Sequence, residues 1–263
     1  EIIREQEIIA SGELSGAAQL SELTEKAQQR VVKVFVPGCD VLLKRLVVPT
    51  KSQRAMRSAV PYMLEDELAQ DVDELFFAYA NMPNNKSEYN CFVAITQRAQ
   101  MLLWLSWLKE ADIVTKSMQP DVLAMPYVEG QYSAIALHSV DTASNASSKA
   151  PSKVKTKLTQ IVVRQGEWQG YTLDNDAWQF TLNNIIASPK SIESLEAGQK
   201  ITINAYSELP FIDDVKDKDG ISVVNADEEL PLALFAQNSQ HTSFNLLQGK
   251  FKVKEQRSKN LSN

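Results

Sequence analysis

Carboxylates gather more densely than any other reactive residue type here: Glu65, Asp66, Glu67, Asp71, Asp73 and Glu74 fall within one short stretch. Paired carboxylates serve general acid–base chemistry or hold a divalent cation. They follow a predicted helix and crowd its C-terminal end, where the macrodipole disfavours negative charge, so local helix stability does not account for them. A solvated face is the first reading, a partner or interdomain surface the second, and catalysis the last, because no histidine joins the cluster.

The remaining reactive residues are scattered. His138 and His241 form neither an HExxH nor an HxH arrangement, so a zinc or non-haem iron site lacks ligands. Cys39 and Cys91 have no CxxC spacing, which points to a reducing compartment. Asp213, Asp214, Asp217, Asp219 and Gly220 resemble a calcium loop, yet Val215 and Ala226 stand where its first and last carboxylates belong, so a surface turn is expected. The nine glycines form no P-loop, no GxGxxG and no GxSxG elbow, and His138 beside Ser139 has no buried acid to complete a triad. No catalytic residue, cofactor or metal ligand is assigned.

These residues must be positioned by recognisable elements. Val31–Val36 and Val41–Val48, separated by Pro37-Gly38, predict a β-hairpin. Thr50 and Gln53 form a capping box for a helix starting near Lys51, in which Pro61 should produce a kink or break. Strands at Leu75–Tyr79 and Cys91–Ile95 precede a helix from Thr96 to about Ala111 and a strand at Ile113–Ser117, a compact βαβ unit. On that helix Met101, Leu105 and Leu108 share one face, while Leu103 and Trp107 fall opposite, beside Gln100, Ser106 and Glu110. Burial against a neighbouring domain is the first reading for Leu103 and Trp107, and a protein interface the second, since Trp is a common interface anchor.

Further along, Tyr132–Leu137 and Leu158–Val163 predict a hairpin whose Ser- and Lys-rich tip, residues 139–157, is a flexible loop. Trp168–Leu173 and a helix carrying Trp178, Leu182, Ile185 and Ile186 follow. Asn225 and Glu228 are expected to cap a helix through Leu232, Leu234 and Phe235. The end is basic, with Lys250, Lys252, Lys254, Arg257 and Lys259 facing only Glu255: a solvated tail, or the cytoplasmic flank of a membrane span beyond it.

Composition excludes several classes. Hydrophobic residues make up 44% and charged residues 23% of the 263, as in ordinary globular proteins, which rules out disorder for the bulk. A net charge of −6 and a pI near 5.1 would repel a phosphate backbone, so nucleic acid is not an expected partner. The longest apolar run, Met101–Leu108, falls well short of the ~20 residues of a membrane span. The sequence opens on Glu1 rather than Met, directly in strand-like Glu1–Arg4 and Glu7–Ala10, the look of a chain trimmed at its start.

The stretch Pro61-Tyr62-Met63-Leu64-Glu65-Asp66-Glu67-Leu68-Ala69-Gln70-Asp71-Val72-Asp73 resembles a signature of type II secretion system protein L, a bitopic inner-membrane protein of the Gram-negative secretion machine. Gln119–Pro126, Phe244–Gly249 and Glu7–Leu14 fit the same family in the same order, whereas residues 139–173 match weakly. The resemblance implies an α/β (α+β) fold of actin-like, RNase H-like architecture in three β-rich subdomains. These would be residues 1–87 with about 226–250, a small βαβ subdomain at 88–130, and an RNase H-like subdomain at 131–225, followed by a juxtamembrane tail at 250–263. It also implies a cytoplasmic, non-enzymatic adaptor that recruits the N-terminal domain of the secretion ATPase (protein E), contacts protein M and the inner-membrane platform, and forms a homodimer.

Glu65, Asp66, Glu67, Asp71, Leu103 and Trp107 are the partner-binding residues expected on this reading. Two alternatives stand beside it, a nucleotide-binding actin-like ATPase switch and a type IV pilus-assembly relative. The switch would need aspartates such as Asp121 or Asp141 on a magnesium ion, together with two glycine-containing phosphate hairpins. One of these would coincide with the glycine-free 139–157 segment, and the other would lie upstream of Glu1 or in the trimmed first strand.

Overall fold

The structure, a computed structural model, describes residues 1–4, 7–82, 88–140, 157–187, 200–216, 218 and 220–253. A short antiparallel hairpin, β1 (Ile2–Arg4) and β2 (Glu7–Ala10), precedes the short helix α1 (Thr24–Gln28). A first half then comprises β3 (Lys33–Val36), β4 (Leu42–Leu46), α2 (Gln53–Leu64), β5 (Leu75–Asn81), β6 (Cys91–Gln97), α3 (Arg98–Glu110) and β7 (Ser117–Pro120). The turn α4 (Asp121–Ala124) leads into β8 (Gln131–Val140), β9 (Lys157–Gly166), β10 (Gln169–Leu173), α5 (Asn175–Ala187), β11 (Ile201–Ala205) and β12 (Ile221–Asn225). Helix α6 (Pro231–Asn238) and an extended strap over residues 242–253 complete the described chain.

The second half is one five-stranded sheet in the order β10-β9-β8-β11-β12, in which only β9 runs against the rest. Numbered within the unit this is 3-2-1-4-5, the strand order of RNase H-like sheets, from which actin-like folds are built by duplication. The alternation of β8 and β9 supplies both faces. Tyr132, Ala134, Ile161 and Val163 face Trp178, Leu182 and Ile185 of α5, while Ile135 and Val162 face α4 and the Leu234–Phe235 pair of α6. Burying each of these large side chains contributes about 1.5–3 kcal/mol.

The first half repeats part of this plan, its strands divided between two sheets. With β5 set aside as an addition at the edge of the β4-β6-β5 sheet, β3 pairs parallel with β7 as β8 does with β11, β4 pairs antiparallel with β6 as β9 does with β10, and a helix joins β6 to β7 as another joins β10 to β11. The repeat corrects two expectations. β3 and β4 follow one another across the Pro37–Asp40 turn but form no ladder, so the predicted hairpin is absent. β6, α3 and β7 are successive but not a compact βαβ unit, because β6 lies in the β4-β6-β5 sheet and β7 beside β3.

Several local boundaries differ for identifiable reasons. Ser52, accepting from the amide of Ala55, caps α2 in place of Thr50. Pro61 leaves α2 unbroken: the Arg57 carbonyl that its missing N–H would have satisfied accepts instead from the Tyr79 hydroxyl at 3.4 Å. Gln97, not Thr96, precedes α3. Asn225 ends a strand, and α6 begins at Pro231, where the Glu1 carboxylate accepts from the Leu232 and Ala233 amides. The β8–β9 and α5 expectations agree with the structure, while residues 141–156 of the predicted loop lie outside the described residues.

Candidate functional site

Three segments of the first half meet around a cleft of about 290 Å³. The Cys39–Asp40 turn forms one wall, Leu68-Ala69-Gln70 a second, and the end of β6 with the first turn of α3, Thr96, Gln97 and Gln100, a third; Leu42, Leu75 and Ile95 supply apolar surface. Leu68–Gln70 is the stretch that separates Glu65–Glu67 from Asp71–Glu74, so the acidic segment adjoins this wall along the chain on both sides. Sheet geometry explains the meeting: β4, β6 and β5 lie side by side, which brings chain positions far apart in sequence to one end of the sheet.

The acidic side chains behave as a surface. Glu65, Asp66 and Glu67 form an exposed 3₁₀ turn directly after α2, and Lys44 Nζ meets Glu67 Oε2 at 2.7 Å. Asp71 accepts from the amide of Asp73 at 2.9 Å and starts a second 3₁₀ turn. Among the described residues no group of three or more His, Cys, Asp or Glu could hold a metal ion.

Leu103 and Trp107 divide. Leu103 is 42% exposed, whereas Trp107 is half-buried and packs with Leu105 and Leu108 against the core formed by Met101, Trp104 and Phe92. Trp104 is a residue that the helical wheel left unassigned, and it faces the same core. Gln100, Leu103 and Trp107 are spaced three and four apart, so they form one stripe along α3 that starts at the cleft. Of the predicted partner residues none lines the cleft itself: the acidic segment adjoins its Leu68–Gln70 wall along the chain, and the α3 stripe reaches it only through Gln100.

Asp121, the candidate magnesium ligand of the switch alternative, is buried and engaged otherwise. Its Oδ1 accepts from the amides of Gly38 at 2.9 Å and Val122 at 2.6 Å, with the Thr172 hydroxyl at 3.5 Å. Burial raises its carboxyl to about 7, against the lowering effect of these hydrogen bonds. A Cβ on Gly38 would stand 2.5 Å from Val122 Cγ2 and from Thr172 Oγ1, so the 37–40 turn is packed directly against the second half. Asp141 lies outside the described residues.

Two buried polar anchors escaped the sequence reading. Arg164, 3% exposed, donates to the carbonyls of Leu123, Met125, Gly166 and Glu167 and to the Thr242 hydroxyl, and burial lowers its guanidinium to about 10. Asn245 and Gln248 of the strap act as strand mimics: Asn245 Oδ1 accepts from the Met118 amide, and Gln248 both accepts from the Tyr79 amide and donates to the Tyr79 carbonyl. Those two residues were visible as part of the Phe244–Gly249 match, and their role as sheet-edge caps was not.

Comparison with known proteins bears on the whole chain. A family model described as "Type II secretion system (T2SS), protein L" matches residues 2–254. Type II secretion system protein L of Vibrio cholerae serotype O1 is 27% identical over 250 residues, 95% of this chain and 53% of that protein. The protein of the same name from Dickeya chrysanthemi is 34% identical over 103 residues, 39% of this chain and 25% of that protein. The chain thus spans about half the length of the Vibrio relative. Among solved structures, the cytoplasmic domain of EpsL, described as an inner-membrane component of the type II secretion system of Vibrio cholerae, superposes with a TM-score of 0.65. It shows 26% identity and covers 94% of this chain and 90% of its own. Among the described residues no helix is long and apolar enough to cross a membrane.

Proposed function

The chain belongs to the type II secretion system protein L family, and from that membership we propose that it is the cytoplasmic part of a membrane-anchored, non-enzymatic adaptor. It recruits the secretion ATPase (protein E) through that enzyme's N-terminal domain and connects it to protein M and the inner-membrane platform, acting as a homodimer. The observation that supports the reading is a cleft walled by Leu68–Gln70, the link between the two acidic turns, and by Gln100, from which the Leu103–Trp107 stripe runs along α3. Such a surface mixes exposed apolar area with charge that steers a partner.

The strap supports the same role. Basic residues Lys250 and Lys252 flank Phe251, an anchor that packs edge-on against Phe76 at 4.8 Å. A load arriving from a membrane segment would reach the first half through that anchor. The nucleotide-switch alternative finds less support, since Asp121 and the 37–40 turn are occupied in holding the two halves together.

Calorimetric titration with the cognate ATPase and with its N-terminal domain, each with and without ATP, tests the reading. Saturable one-to-one binding indifferent to ATP is expected; absence of binding, or binding only with ATP, would overturn it.

A further inference from the structure

Resting on that reading, in which the surface receives a protein partner, we infer that the cleft is a socket for one arginine side chain of the partner. Its size is the first argument. At about 290 Å³ the cleft sits at the lower edge of ligand pockets, which run from ~300 to 1,000 Å³, and suits one long side chain better than a nucleotide.

A second, independent observation points into the same space. The Thr96 hydroxyl is 3% exposed, lines the cleft and has no hydrogen-bond partner. Buried polar groups are seldom left in that state, and an entering donor would satisfy it.

Charge sets the sign of the visitor. Asp40 lines the cleft, and burial holds its carboxyl above the ordinary value, the condition of an anion short of compensation. Glu65, Asp66, Asp71, Asp73 and Glu74 lie along the chain on either side of the Leu68–Gln70 wall. The cations nearby are occupied, Lys44 on Glu67 and the Arg98 Nε on the Leu75 carbonyl.

Chemistry then selects arginine over lysine. Gln70, Gln97 and Gln100 offer neutral planar carbonyl acceptors from two walls, a pattern that suits the flat five-donor guanidinium and not a compact, strongly hydrated ammonium. Leu68, Leu75 and Ile95 provide the apolar surface along which an arginine stem lies. Cys39 contributes bulk only, since desolvation raises its thiol and leaves it a poor nucleophile.

The test pairs two measurements on this chain. Asp40→Asn and Gln100→Ala should each weaken binding of the intact ATPase at least about tenfold while leaving the thermal transition in place. The Asp40→Asn loss should vanish against one single Arg→Lys variant of the ATPase, which identifies the inserted residue. In parallel, Nα-acetyl-arginine methylamide at millimolar concentration should shift the amide resonances of Thr96, Gln97 and Gln100, and the lysine analogue should not. If the ATPase binds every variant equally and the arginine probe leaves the spectrum unchanged, the socket is overturned and the adaptor reading survives. Should the probe shift those resonances while the ATPase fails to bind the wild type, the socket stands and the adaptor reading falls.

Discussion

The backbone amide of Gly38 donates to Oδ1 of Asp121 at 2.9 Å, a bond between residues 83 positions apart. It ties the turn after β3 to the first residue of α4, and Thr172 of β10 in the second half adds its hydroxyl to the same oxygen at 3.5 Å. The two halves are thereby fastened through one buried carboxylate.

Asp121 should make stability depend on pH in an uncommon direction. Burial holds its folded-state carboxyl at about 7, above the ordinary aspartate value of 3.8, so the folded chain binds the extra proton between those limits. Its contribution is therefore fully present near pH 4 and is lost as pH rises through about 7. Asp121→Asn is predicted to match the wild type at or below about pH 4 and to be more stable at pH 8, by on the order of a few kcal/mol, in denaturant titrations. Equal stability at both pH values would refute the assignment.

Close approach at two glycines predicts a ranked pair of losses. A Cβ at Gly170 would stand 2.3 Å from the Val163 carbonyl oxygen, a backbone atom, whereas at Gly38 the nearest atoms belong to side chains. Gly170→Ala should therefore destabilise more than Gly38→Ala, each by about 1–3 kcal/mol or more, in chemical unfolding.

Gln248 caps the outer edge of β5 with two hydrogen bonds to Tyr79. Its replacement by Ala is expected to cost about 1–3 kcal/mol and to speed hydrogen exchange at the Tyr79 amide more than at Phe92 in the middle strand β6. Uniform acceleration across the sheet would show that the strap acts globally and not at that edge.

Leu103 and Trp107 should separate binding from stability. Leu103→Ser is predicted to leave stability within about 0.5 kcal/mol and to weaken ATPase binding, because the side chain is exposed. Trp107→Ala should cost about 1–3 kcal/mol of stability, because it packs against Leu105, Leu108 and the core beneath. Charge reversal at Glu65 together with Glu67 should weaken ATPase binding with a steep salt dependence. A full complement of binding in Leu103→Ser and in the charge-reversed variant would move the partner surface elsewhere.

What the linear order of residues determined was local: the apolar, β-rich strands β5, β6, β8 and β9, the amphipathic helices α2, α3 and α5, and the density of carboxylates at 65–74. These follow from periodicity and side-chain type, which any short window contains. Only the tertiary structure decided that β3 and β4 do not pair, that Tyr79 repairs the carbonyl which Pro61 orphans, and that Asn245 and Gln248 cap distant sheet edges. It alone placed Gln70 and Gln100 across one cleft and sank Arg164 and Asp121 into the junction. Each of those outcomes depends on contacts between positions tens of residues apart, and the geometry that joins them exists only once the sheets have assembled and excluded water.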